Sequence, residues 1–165
     1  MHKETPVPEP RSPASSKFIL MGFVLVAFLA SCATMPYTPS SGSVERLLAA
    51  YDGGGYASGK VVATAPFLFD GEILALQSDV DAVWNNLSAS GFRFGSARIV
   101  SSAPLAPESW SSVASGMEVK TFIAKRLGAT CRLFVVESAS RRYLLIVDRG
   151  SWNRPRLRGF AGPLK

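Results

Sequence analysis

The sequence predicts an α+β domain: a small mixed sheet of four to five strands with two helices packed on one face, ordered β(β)-α-β-α-β-β. Three observations carry this expectation. Residues 130–149 contain two runs rich in Val, Leu, Ile and Phe, separated by a short polar turn near Ala139–Ser140. Asp70-Gly71 lies between two apolar runs, the strongest short signal for a β-hairpin. Val80, Val83, Trp84 and Leu87 recur at i, i+3, i+4 and i+7, the stripe of a half-buried helix.

The elements follow in order over an expected globular domain of residues 60–150. KVVATAPFLF reads as a strand that Pro66 places at an edge or beside a bulge. EILAL returns beyond Asp70-Gly71. The next helix is expected to be capped by Ser78, to carry Asp79 and Asp81 in its first turn, and to end at Gly91. Trp84 sits on its apolar stripe, so it belongs to the core rather than to a ligand platform. FRFGSARIV reads as a strand with a bulge at Gly95. From Pro107 to Leu127 the pattern is helical, weakened at Gly116, with Val119, Phe122, Ile123 and Leu127 as its buried face and Gly128 as its end. TCRLFVVES and RRYLLIVDR complete the sheet.

The chain ahead of this domain is organised differently. Phe18–Ala30 carries no charge and is too short for a membrane span of roughly 20 residues, but it suits the apolar core of an export signal. Lys17 abuts it. The run ends in Leu29-Ala30-Ser31-Cys32, which resembles the lipobox of bacterial lipoproteins: a branched apolar residue, two small residues and a cysteine. The resemblance implies a signal peptide over residues 1–31 and lipid attachment at Cys32, with Ala33 after it favouring the outer membrane facing the periplasm. An uncleaved or re-entrant apolar helix with an incidental cysteine is the alternative. Residues 32–59 are then expected to hold a Pro/Ser-rich tether, a short helix capped by Ser43 and a glycine-rich break.

Cleavage before Cys32 would remove His2, the only histidine, and with it Ser-His-Asp or Cys-His catalysis and histidine-bearing zinc sites. Cys131 would remain as a lone free thiol inside an apolar run, either a small core residue or a reactive one. Gly54–Lys60 matches G-x-x-x-x-G-K, but Val61 replaces the magnesium-binding hydroxyl and a strand follows, so the stretch reads as a linker. No paired carboxylates or metal-ligand cluster stand out. The expectation is a chain that is not an enzyme and uses no cofactor and no metal.

The formal net charge is +6. Its excess gathers in residues 141–165, where Asp148 is the only acid. A basic tail is expected over 151–165, with Trp152, Arg154, Arg156, Arg158 and Phe160 as an arginine and aromatic contact for an anionic partner, or as a solvated, disordered end. Nucleic acid is not expected outside the cytoplasm.

Pro66-Phe67, Leu87–Phe92 and Ala124–Ala129 together resemble landmarks of a domain found in curli-secretion lipoproteins and in activator lipoproteins of penicillin-binding proteins. The resemblance spans about residues 60–150. The arginine-bearing segment expected after the second strand is absent. It implies a non-catalytic accessory that binds a protein or cell-wall component of the envelope. A surface-exposed ligand-binding or adhesion lipoprotein is the alternative, and a periplasmic hydrolase a more distant one.

Overall fold

The computed structural model describes residues 39–150 and 154–164. The expected signal peptide, Cys32 and Trp152 lie outside them. The described chain is α+β, as expected, with a six-stranded sheet in the order β2-β1-β6-β5-β4-β3. The elements are α1 (Ser41–Gly54), β1 (Ala63–Phe69), β2 (Glu72–Leu74), α2 (Gln77–Ala89), β3 (Arg98–Pro104), α3 (Met117–Phe122), β4 (Arg132–Ser138), β5 (Arg141–Asp148) and β6 (Arg156–Leu164). A π-helical turn, Ile123–Leu127, extends α3.

Asp70-Gly71 closes the β1–β2 hairpin, with Phe69 opposite Glu72. Asp70 adopts a positive φ of 50°, which aspartate tolerates at such turns. Ala139 and Ser140 both take positive φ and join β4 to β5 in a hairpin with Ser138 opposite Arg141. Pro66 lies beyond the reach of β2, which pairs only with Phe67–Phe69 of β1. It falls where the β1–β6 pairing slips between Ala63 and Leu68.

The sheet departs from the expectation in three respects. It has a sixth strand, β6, formed by most of the segment read as a basic tail. β6 runs parallel to β1, with Phe69 opposite Phe160, and antiparallel to β5. It is a central strand. Second, the helices do not share one face. α1 and α2 cover one side through Val44, Leu47, Tyr51, Val80 and Trp84, packed on Tyr143, Leu145, Val147 and Phe160. α3 and the turn after it cover the other, where Val119, Phe122, Ile123 and Leu127 meet Leu144 and Ile146. The physical reason is visible in β5: Tyr143 to Val147 are all buried, so successive side chains meet cover on opposite faces. Third, α1 belongs to the core rather than to a tether.

Local boundaries also move. α1 is capped by Ser40, whose Oγ accepts from the Ser43 backbone N–H, while Ser43 turns inward and donates to the Ser40 carbonyl at 2.7 Å. The N-cap of α2 is Leu76, without a side-chain cap, because Ser78 lies already inside the helix. The segment from Phe92 to Gly95 is not strand, since the Phe94 backbone N–H is taken by the Asp52 carboxylate at 2.7 Å. The helix expected over 107–127 is split into a 3-10 turn, Pro107–Trp110, and α3. Trp110 is fully buried and donates its indole N–H to the Asp70 carbonyl, which pins that turn against the β1–β2 hairpin.

The larger core is aromatic. Trp84 lies edge-on to Tyr51 at 5.4 Å and to Phe67 at 6.2 Å, and Phe160 contacts Trp84, Phe92 and Tyr143 at 5.4, 5.7 and 5.8 Å between centroids. Trp84 is a core residue, as its place on the stripe predicted.

Candidate functional site

Two hollows adjoin on the α1 side, sharing Gly59 and Val62 as wall. The first, about 440 Å³, is built from three separate segments. α1 contributes Ser43, Arg46, Leu47 and Ala50. Its apolar stripe fixes Leu47 on the sheet, which leaves Arg46, one position earlier, exposed at the rim. The connection after α1 contributes Lys60, and Gly59 allows the sharp turn there by taking a φ of 67°. The entry to β6 contributes Arg154 and Pro155.

The rim therefore carries Arg46, Lys60 and Arg154, and no carboxylate lines the hollow. Among the described residues, ion pairs join Arg98 to Glu137 at 3.0 Å and Arg156 to Asp148 at 3.3 Å, and none involves these three cations. The floor is apolar, made by Leu47, Ala50, Val62 and Pro155. Three like charges held together without a counter-charge attract an anion, most strongly at low ionic strength.

The second hollow, about 540 Å³, includes the polar side chains of Tyr56, Thr64, Gln77, Asp81 and Asn85. The Tyr56 hydroxyl donates to Asp81 Oδ1 at 2.7 Å and Gln77 Nε2 to the same oxygen at 2.8 Å. Gln77 also brackets β1, accepting from the Ala65 N–H and donating to the Ala63 carbonyl, both at 2.9 Å. The hydrogen bonds from Tyr56 and Gln77 hold the Asp81 carboxyl below its usual range, and burial, reinforced by Asp81, pushes the Tyr56 phenol above its own. At neutral pH Asp81 is a carboxylate and Tyr56 a phenol, so neither is poised as a general acid or base. The network ties α2 to β1.

The residues read as one anionic contact are dispersed. Arg154 reaches the cationic hollow. Arg156 pairs with Asp148, and Arg158 donates to Thr64 Oγ1 at 3.3 Å. Phe160 is a correction: it is 2 % exposed in the aromatic core, because pairing with β1 and β5 fixes β6 in the middle of the sheet. Sequence reasoning missed Arg46 and Lys60, which stand alone among uncharged or acidic neighbours and meet Arg154 only through the fold. Lys60 was the lysine of the G-x-x-x-x-G-K match. That stretch leaves a helix and enters β1, the reverse of the strand-to-helix order a phosphate loop requires.

Cys131 is buried, and its Sγ–H donates to the Leu127 carbonyl at 2.9 Å. Burial, with the nearby Asp148 charge, pushes the thiol up to about 11. Among the described residues no group of three or more His, Cys, Asp or Glu side chains is placed to hold a metal ion, and no helix is long and apolar enough to cross a membrane. No protein-family model, curated protein or solved structure matches the chain.

Proposed function

We propose that the chain is a lipid-anchored domain of the cell envelope, probing its surroundings by binding rather than by chemistry, as an accessory to an envelope assembly or enzyme. The observation that carries the binding role is the hollow rimmed by Arg46, Lys60 and Arg154 with no carboxylate in its wall. The Leu29-Ala30-Ser31-Cys32 block supports the anchor, and its address is the outer membrane facing the periplasm. The landmark residues shared with envelope accessory lipoproteins support the role as a protein or cell-wall binder. The occupant of the hollow is an anionic envelope component.

Two experiments test this. Cys32→Ser should abolish acylation and move the protein to the soluble fraction; continued membrane attachment would mean that the apolar run itself is the anchor. A photoreactive residue placed at Glu45, beside the Arg46 rim, should give an adduct with an envelope component in intact envelopes. The adduct should disappear when Arg46, Lys60 and Arg154 are all changed to Gln. An unchanged adduct would refute the assignment of the hollow.

A further inference from the structure

We infer that the cationic hollow takes the phosphate of an anionic lipid headgroup, in the leaflet that holds the protein's own anchor. The inference rests on the anchored reading above and specifies the occupant that reading leaves open. Three features converge on it.

The first is the pairing of charge and apolar surface within one hollow. Arg46, Lys60 and Arg154 supply the rim, while Leu47, Ala50, Val62 and Pro155 form the floor. A free phosphate uses only the rim. A lipid headgroup uses both, setting its phosphate against the cations and its glycerol carbons on the floor. Arginine suits this role because its planar fork can donate two hydrogen bonds to one phosphate.

The second is reach. Ser43, in the wall of the hollow, follows Cys32 by 43 − 32 = 11 positions. A chain of that length spans at most about 40 Å when extended. In the anchored reading this short covalent link raises the effective concentration of headgroups to the millimolar range. A site of modest intrinsic affinity is filled under those conditions.

The third is that the two arginines of β6 are already engaged. Arg156 is engaged by Asp148 and Arg158 by Thr64, so neither competes as an open anion site of the same kind. Lys125 lies on the turn after α3, on the opposite side of the sheet, and supplies an internal reference.

The test uses the full acylated chain and the reactivity of the lysines. The protein is reconstituted with vesicles of phosphatidylcholine alone, or with 30 % phosphatidylglycerol added, an amount of order one anionic lipid in three. Both samples are treated with a water-soluble amine-acylating reagent and analysed by peptide mass spectrometry. Phosphatidylglycerol should slow acylation of Lys60 at least fivefold relative to Lys125, since one basic residue at an anionic surface gains roughly fivefold in partition. Changing Arg46 and Arg154 together to Gln should return Lys60 to its phosphatidylcholine rate; both side chains are exposed, so the melting temperature should stay within about 2 °C.

Equal Lys60 rates on the two vesicle types would overturn the inference. So would protection that survives the double substitution, or protection by soluble glycerol phosphate in phosphatidylcholine vesicles without any by phosphatidylglycerol. Flotation with phosphatidylcholine vesicles reports the anchor separately. A chain that does not float refutes the anchored reading, while its Lys60 rates with and without phosphatidylglycerol still decide the occupant.

Discussion

Replacing Phe160 by alanine probes whether β6 holds the centre of the sheet or hangs from it. Phe160 is 2 % exposed, with Phe69, Trp84, Phe92, Phe94 and Tyr143 all within 6.1 Å between ring centroids. Truncation of a core Phe to Ala costs about 3–5 kcal/mol, and the loss of several geometric ring contacts places this site in the upper half of that range. Unfolding entropy near 2.1 cal/mol/K per residue gives roughly 0.26 kcal/mol/K for a domain of about 125 residues. A loss of about 4–5 kcal/mol therefore lowers the melting temperature by roughly 15–20 °C. Thermal melts followed by near-ultraviolet circular dichroism read both the midpoint and the aromatic packing. Arg154→Ala, at an exposed rim position, serves as the control and should shift the midpoint by no more than about 2 °C. A Phe160→Ala midpoint within about 3 °C of the parent, with the near-ultraviolet signal kept, would show that this segment is a free tail and refute the central strand.

Further outcomes follow from the same geometry. Cys131 should resist a disulfide-exchange reagent at pH 8 in the native protein and react at once in denaturant, because its thiol is buried and pushed up to about 11; rapid native reaction would place it at the surface. Gly159→Ala should cost about 1–3 kcal/mol, since its Cβ would lie 2.8 Å from Ile146 Cδ1 and 3.1 Å from the Leu68 carbonyl. Adding Ile146→Val, which removes that carbon, should recover part of the loss, and strict additivity in urea melts would contradict the contact. Above about pH 10 the unfolded chain releases its tyrosine protons while folded Tyr56 keeps its own, so stability falls as pH rises; Tyr56→Phe should make that fall shallower, leaving the share due to buried Tyr51. Asp81 acts in the opposite window: its lowered pKa stabilises the fold above about pH 4 and the gain is lost on acidification, so Asp81→Asn should flatten the acid limb.

Much of the fold was readable because its signals are local. Asp70-Gly71, the Ala139–Ser140 turn and the stripe through Val80 and Trp84 each depend on residues a few positions apart, and each formed where expected. The placement of the helices was also written in the chain, in a form passed over. RLFVVES alternates in burial, but YLLIV does not, and an unbroken apolar strand needs cover on both faces. β6 was concealed by its composition. Arginine at alternate positions, Gly159, Gly162 and Pro163 all depress strand propensity, and its place is set by β1, far away in sequence. The hollow was hidden for a related reason: Arg46, Lys60 and Arg154 come from three segments that only the fold brings together.

The parallel pairing of β1 with β6 has a consequence for how the chain is made. Phe69 meets Phe160, a partner synthesised about ninety residues later. β1 therefore stays without its central neighbour until nearly all of the described chain is available to fold. Until then it has only the three-residue β2 beside it, and a two-stranded hairpin alone is marginal in water. The aromatic core likewise lacks the ring on which Trp84, Phe92 and Tyr143 converge. The topology thus works as a timer: it postpones closure of the aromatic core until β6 is in place, and a chain truncated before Arg156 leaves β1 and β5 without the strand that joins them.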